Sequence, residues 1–257
     1  MHELLAVLSG SLVGFSLALT GGGGSILAVP LLLYVVGVPS PHVAIGTSAL
    51  AVAANAFVNL VGHARAGTVK WRCAAVFAAA GSFGAAIGST IGKLVDGQRL
   101  LLVFAFVMIA VGVAMLRPRA SGGNPAVRLT GPIAARLAAV GMGAGTVSGF
   151  FGIGGGFLIV PGLMLGSGMP ILNAIGSSLV SVGVFGLTTA VNYARSGLID
   201  PRLAAEFIVG GAVGGVLGLK VAVRLASHRR SLTLLFAGVI FAVAAYMLVH
   251  TALTLRG

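Results

Sequence analysis

Ten apolar stretches, separated by little more than glycine, proline and short basic loops, run the length of this 257-residue chain. They fall at about residues 4–20, 25–38, 42–63, 72–95, 99–116, 133–151, 156–168, 170–194, 202–225 and 231–250. A helix needs roughly 20 apolar residues to cross a bilayer. The second and seventh stretches are short for that, and with the glycine runs before them they read as broken or re-entrant helices. None alternates apolar and polar residues in the manner of a membrane barrel strand. The chain is 58% hydrophobic and only 8% charged, against about 25% charged for a soluble domain. The expected fold class is an all-α polytopic membrane protein surrounded by the lipid bilayer. Its loops are too short to hold a soluble catalytic domain.

The formal net charge of +12 could point to nucleic acid. However, the basic residues sit between apolar segments, where they anchor topology on the cytoplasmic side, so no nucleic-acid partner is expected. The single cysteine, Cys73, excludes an internal disulfide and a multi-cysteine metal site. The N-terminus Met1-His2-Glu3 lacks the positive n-region of a signal peptide, so the first apolar segment is expected to be retained.

Two glycine runs interrupt the apolar pattern in register. Gly21-Gly22-Gly23-Gly24-Ser25 leads to Val29-Pro30, and Gly152-Ile153-Gly154-Gly155-Gly156 leads to Val160-Pro161. From first glycine to proline both run the same distance, 30 − 21 = 9 and 161 − 152 = 9. The likeness continues. Ala44-Ile45-Gly46-Thr47-Ser48 matches Ala174-Ile175-Gly176-Ser177-Ser178, and His63-Ala64-Arg65-Ala66-Gly67 matches Tyr193-Ala194-Arg195-Ser196-Gly197. Gly81, Gly84 and Gly88 match Gly211, Gly214 and Gly218. The offset is 176 − 46 = 130 here and 152 − 21 = 131 at the glycine runs, so one indel separates two copies of one unit. The expected organisation is a first transmembrane repeat over 1–117, a cytoplasmic connector over 118–131, and a second repeat over 132–257.

Charge bias relates the copies. Arg65, Lys70 and Arg72 crowd one loop of the first copy, whereas in the second copy the following loop carries Arg224, Arg229 and Arg230. With Arg117, Arg119 and Arg128 in the connector, the positive-inside rule puts the N- and C-termini outside and the connector inside. Each copy then crosses an odd number of times, so the copies are expected to be inverted, as in secondary transporters.

The glycine runs fail as nucleotide motifs: there is no P-loop Gly-Lys-Ser/Thr and no complete G-x-G-x-x-G. The scattered Gly81/Gly84/Gly88 set reads as a close-packing helix face. Four glycines in five residues exceed what packing needs and read as a helix break, whose freed N–H groups attract an anion in mid-membrane. The candidate substrate-binding residues are therefore Gly21, Gly23, Gly24, Ser25, Gly152, Gly154, Gly155 and Gly156. The neighbouring hydroxyls Thr47, Ser48, Ser177 and Ser178 complete the set. Arg65 and Arg195 are candidates either for capping helix C-termini or for drawing anions into a vestibule. Asn55, Asn59 and Asn192 are amides in apolar helices and read first as interhelical hydrogen bonders. The four acids, Glu3, Asp96, Asp200 and Glu206, avoid the middle of the segments, which suits an anionic substrate and argues against a cation pump. No catalytic residue, metal site or cofactor is expected, and the chain does not read as an enzyme.

These motifs resemble the sulfite exporter TauE/SafE family of bacterial membrane permeases. The resemblance rests on Gly152-Ile153-Gly154-Gly155-Gly156 with Val160-Pro161, its first-half counterpart, and the paired Ala-Ile-Gly-Thr/Ser-Ser stretches. The Arg-x-Gly after the third segment of each copy also fits. It implies a multi-pass protein of the bacterial inner (plasma) membrane that moves small sulfur-containing anions such as sulfite, sulfoacetate or other organosulfonates, usually outward. In the first run Gly22 replaces the usual apolar residue and Ser25 the third glycine, so the half-sites are unequal. Alternating access coupled to protons is the expected mechanism. A passive anion channel, or a permease for a different small organic anion, is the alternative. The many small-residue faces are compatible with a homodimer.

Overall fold

The computed structural model describes residues 2–116, 123–124, 126–152, 156–224, 237–238 and 240–249, and every regular element among them is helical. In chain order they are α1 (His2–Thr20), a 3-10 stretch (Gly21–Leu27), the short turn α2 (Ala28–Pro30), a π stretch (Leu31–Val35), α3 (Pro41–Arg65), α4 (Trp71–Leu94), α5 (Gly97–Leu116), α6 (Gly131–Phe151), α7 (Gly156–Ser167), α8 (Ile171–Ala194) and α9 (Pro201–Arg224). A last helix, α10, covers Ile240–Val249. Five of these (α1, α3, α4, α6 and α8) are long and apolar enough to cross a membrane. The chain is thus an all-α polytopic membrane protein.

Local sequence sets the boundaries. Ser40 caps α3, its hydroxyl accepting from the Val43 N–H at 3.4 Å, and Pro41 occupies the first turn, where its missing N–H costs nothing. Both α1 and α6 end at a left-handed glycine, Gly21 (φ 67°) and Gly152 (φ 66°), a conformation that disfavours any residue with a Cβ. The glycine runs therefore stop both helices at equivalent points. Beyond them the two halves differ. After Gly21 the backbone tightens to 3-10 and then, past Pro30, loosens to π, with the Val36 N–H reaching back to the Leu31 carbonyl at 2.9 Å. Its counterpart α7 is a plain α-helix with Pro161 inside it.

The 21–35 stretch turns back instead of crossing. His2 Nδ1 lies 3.0 Å from the Val36 carbonyl oxygen, so the chain returns to the end of the bundle from which α1 set out. At the other end Asn124 donates its N–H to the Gly168 carbonyl at 2.9 Å, which brings the end of α7 back to the chain that leads into α6. Helices α3 and α8 run in opposite directions. Asn173 at the start of α8 donates to the Thr68 carbonyl beyond the end of α3 at 2.9 Å, and Gly46 near the start of α3 rests on the Leu198 carbonyl beyond the end of α8.

The halves are built through each other. Helix α1 packs along α9, and α4 along α6, while α3 crosses α8. Glycines make the first two approaches possible. A Cβ on Gly14 would overlap the Gly211 carbonyl, and one on Gly145 would overlap the Gly81 carbonyl. These are the same contact in the two copies, since 145 − 14 = 131 and 211 − 81 = 130. Gly84 and Gly88 likewise lie on the Met142 and Thr146 carbonyls, and Gly214 and Gly218 on those of Ser11 and Phe15. With no hydrophobic drive between helices in lipid, close backbone contact is what associates them. The scattered glycines are thus packing surfaces.

Candidate functional site

Each glycine break is seated on the opposite half. Gly152, at the end of α6, lies against Ile45 of α3, and the Ser48 hydroxyl, which donates to the Ile45 carbonyl at 2.9 Å, is 3.4 Å from the Gly152 carbonyl oxygen. Gly21, at the end of α1, lies in the same way against Ile175 and the Ser178 hydroxyl, which donates to the Ile175 carbonyl at 2.7 Å. The equivalences are 175 − 45 = 130 and 178 − 48 = 130. Ser48 and Ser178 are fully buried, and the 3-10 stretch packs on both α7 and α8. The structure thus brings Gly21, Ser48, Gly152 and Ser178 to one interface between the halves.

Thr47 and Ser177 stand next to them and face elsewhere. The Thr47 hydroxyl accepts the N–H of Asp200, ahead of α9, at 3.0 Å, and the Ser177 hydroxyl accepts the N–H of Lys70, ahead of α4, at 2.8 Å. Each satisfies a donor that a helix start leaves open, again across the halves. Gly23 and Gly24 lie within the 3-10 stretch, where Gly24 is closed down on Ser16 and Leu17 of α1, and Ser25 is buried beside it. Gly156 opens α7. Gly154 and Gly155 fall outside the described residues, as do Arg117, Arg119, Arg229 and Arg230 of the charge argument.

The candidate arginines end their helices without gripping them. Arg65 and Arg195 are exposed, and among the described residues neither guanidinium makes a hydrogen bond or ion pair. The amides divide. Asn192 of α8 donates to Ser89 at 2.7 Å and Thr90 at 3.0 Å of α4, which is the interhelical role its residue type suggests. Asn59 donates to the Asn55 carbonyl of its own helix at 2.9 Å. The Asn55 amide makes no hydrogen bond to any described residue.

Two features lay beyond the sequence reading. Lys93, at the end of α4, donates to the Asn192 carbonyl (3.1 Å), the Asn192 Oδ1 (2.9 Å) and the Ser196 hydroxyl (2.9 Å), pinning α4 to α8. A basic residue in the last turn of an apolar helix was its only signal. The second is a vestibule of about 410 Å³, lined in part by His2, Glu3, Asp200, Arg202 and Glu206. In it Arg202 bridges Glu3, and lies 3.4 Å from Glu206. Asp96 belongs to the same end of the bundle, because the next residue, Gly97, abuts Pro41 at the head of α3. All four carboxylates of the chain are therefore at one end, with Arg65, Lys70 and Arg72 at the other.

Comparison with known proteins places this geometry. The family model described as "Sulfite exporter TauE/SafE" matches residues 6–247. A "Probable membrane transporter protein" of Xylella fastidiosa (strain 9a5c) is 54% identical over 246 residues, covering 95% of this chain and 94% of that protein. "Probable membrane transporter protein YunE" of Bacillus subtilis (strain 168) is 28% identical, over 86% of this chain and 89% of its own. A third, "Probable membrane transporter protein MJ0441" of Methanocaldococcus jannaschii, is 28% identical over 72% and 68%. No solved structure matches. Together with the apolar helices, these likenesses make the chain a multi-pass bacterial membrane transporter and not an enzyme.

Proposed function

We propose that this chain, which belongs to the sulfite exporter TauE/SafE family, is a secondary transporter that carries small sulfur-containing anions such as sulfite, sulfoacetate or related organosulfonates outward by alternating access. The observation that carries this reading is the reciprocal seating of the glycine breaks: Gly152 on Ile45 and Ser48, and Gly21 on Ile175 and Ser178. A site shared between two halves opens to one side or the other as the halves rock. A helix break inside the bilayer leaves backbone N–H groups available to a substrate anion, which gains most from them at low dielectric.

The transmembrane repeats span 1–117 and 132–257, joined by a cytoplasmic connector at 118–131, and stand inverted in the membrane. The antiparallel course of α3 and α8 and the reciprocal glycine contacts support this arrangement. The N-terminus lies outside, so the carboxylate-lined vestibule faces the exterior and the Arg65–Arg72 end faces the cytoplasm, in keeping with the positive-inside rule. Export of the anion down the membrane potential supplies the driving force.

Counterflow of labelled sulfite and sulfoacetate in proteoliposomes tests the reading. Trans-stimulated, saturable exchange is expected; linear flux without trans-stimulation would make the chain a channel. Loss of exchange in Gly21→Ala and Gly152→Ala, with normal membrane insertion, would place the site at the breaks. Full rates in both variants would remove it from them.

A further inference from the structure

Asn55 lies on α3, where its amide faces Gly211 of α9. Its equivalent is Phe185, since 185 − 55 = 130, and the residues around both confirm the correspondence. Phe185 rests on Gly81 and stacks on Phe77 with ring centroids 6.2 Å apart. Asn55 rests on Gly211, the counterpart of Gly81. The fold accepts an apolar side chain at this position in one half and carries an amide in the other. That amide is fully buried, and neither Oδ1 nor Nδ2 has a hydrogen-bond partner among the described residues. A buried unsatisfied amide destabilises a fold, and a polar group kept inside a membrane at such a cost marks a functional position.

The surroundings define its complement. Asn55 lies two turns along α3 from Ser48, about 10 Å away along the helix, on the same stripe of the helix surface. The buried hydroxyls of Ser16, Ser148 and Ser181, each within five residues of a glycine break or of Ser178, also lack hydrogen-bond partners among the described residues. The ionisable groups on the helices packed about Asn55 are remote from it in sequence: His2 and Glu3 on α1, His42, His63 and Arg65 on α3, Tyr193 on α8, and Arg202, Glu206, Lys220 and Arg224 on α9. Glu206 is the nearest by position, five residues before Gly211. No charged residue falls within a turn of Asn55 on α3 or of Gly211 on α9, and the amide itself offers an unused acceptor, Oδ1, and unused donors on Nδ2. Desolvating an ion scales with the square of its charge, so a neutral site strongly favours a monoanion over a dianion. An amide is fully satisfied only by a ligand that both accepts from Nδ2 and donates to Oδ1.

We propose that Asn55 reads the protonation state of the substrate, selecting a singly charged oxyanion that retains one O–H. Resting on the transporter reading above, this makes the substrate its own proton carrier and leaves the protein no need of an internal titrating group. The amide Nδ2 donates to a charged oxygen of the anion, while Oδ1 accepts from its hydroxyl.

The test uses purified full-length protein in proteoliposomes and sulfite flux at two pH values, one on each side of the second ionisation of the anion. Wild-type flux per total sulfite should be at least fivefold greater on the acid side. Asn55→Leu matches the amide in size, and should insert normally and melt no lower than wild type. It should lose at least tenfold in flux on the acid side and with it the pH preference. Glu206→Gln should keep the preference. Asn55→Leu flux and pH ratio equal to wild type would overturn the proposal, as would a wild-type rate that follows the dianion, or loss of the pH ratio in Glu206→Gln alone. Absence of saturable wild-type flux at both pH values would instead defeat the transporter reading on which it rests.

Discussion

Gly145 of α6 lies on the backbone of Gly81 of α4, leaving no space for a Cβ at Gly145, and Gly14 of α1 lies on Gly211 of α9 in the same manner. The two helix pairs that bind the halves together depend on these contacts. Leucine at Gly145 or Gly14 must push α6 from α4 or α1 from α9. Overpacking of this kind costs about 1–3 kcal/mol or more. Gly145→Leu and Gly14→Leu should therefore both lower the folded fraction and the melting temperature in detergent. Gly143→Leu, where a Cβ would meet nothing within 4 Å, should melt as wild type. Equal melting of all three variants would remove the glycine contacts from the assembly.

The left-handed glycines offer a separation of effects. Gly37 (φ 85°) has open space where a Cβ would go, whereas Gly152 (φ 66°) has Ile45. Gly37→Ala should lose only the conformational term, about 1 kcal/mol. Gly152→Ala should lose that and the cost of displacing Ile45, and so fall further in a thermal melt. If the two variants melt alike, Gly152 does not bear on α3.

Thr47 and Ser177 should behave as a matched pair. Thr47→Val and Ser177→Ala each leave a backbone N–H, of Asp200 or Lys70, without its acceptor. An unsatisfied donor costs about 1–3 kcal/mol, so both variants should be destabilised to a similar degree. Unequal losses, one near zero, would show that the two cross-half caps are not equivalent.

Lys93 and Arg65 make opposite predictions although both are basic residues at helix ends. Lys93→Met removes three hydrogen bonds to α8 and the loop after it, and should lower the melting temperature by several degrees. Arg65→Ala removes an exposed side chain without described partners and should leave stability unchanged. A drop for Arg65→Ala equal to that for Lys93→Met would show that Arg65 holds the fold as well.

The outline of this architecture was written in short-range sequence. Glycine at 21 and 152 stops a helix wherever it adopts a positive φ, and the repeat offset is visible by inspection. What could not be read was the choice of partner. Gly10, Gly14, Gly141 and Gly145 offer α1 and α6 similar small-residue faces, so nothing local says that α1 belongs to α9 and α6 to α4. The vestibule was hidden for the same reason, because Glu3 and Arg202 are joined only by that pairing. The Asn55 amide was visible as a polar residue in an apolar helix. Its lack of a partner was not, since that depends on what Gly211 and its neighbours fail to offer.

The pairing of α1 with α9 also has a meaning in time. Ser11 of α1 donates to the carbonyl of Gly210 at 2.9 Å, across 199 positions of chain. A ribosome adding roughly 5–20 residues per second takes on the order of 10–40 seconds to deliver the second partner after the first. Throughout that interval the notched, serine-bearing face of α1 stands in the bilayer without the helix it is shaped for. Neither half can finish folding before the other is made, so the protein matures as one event late in its own synthesis.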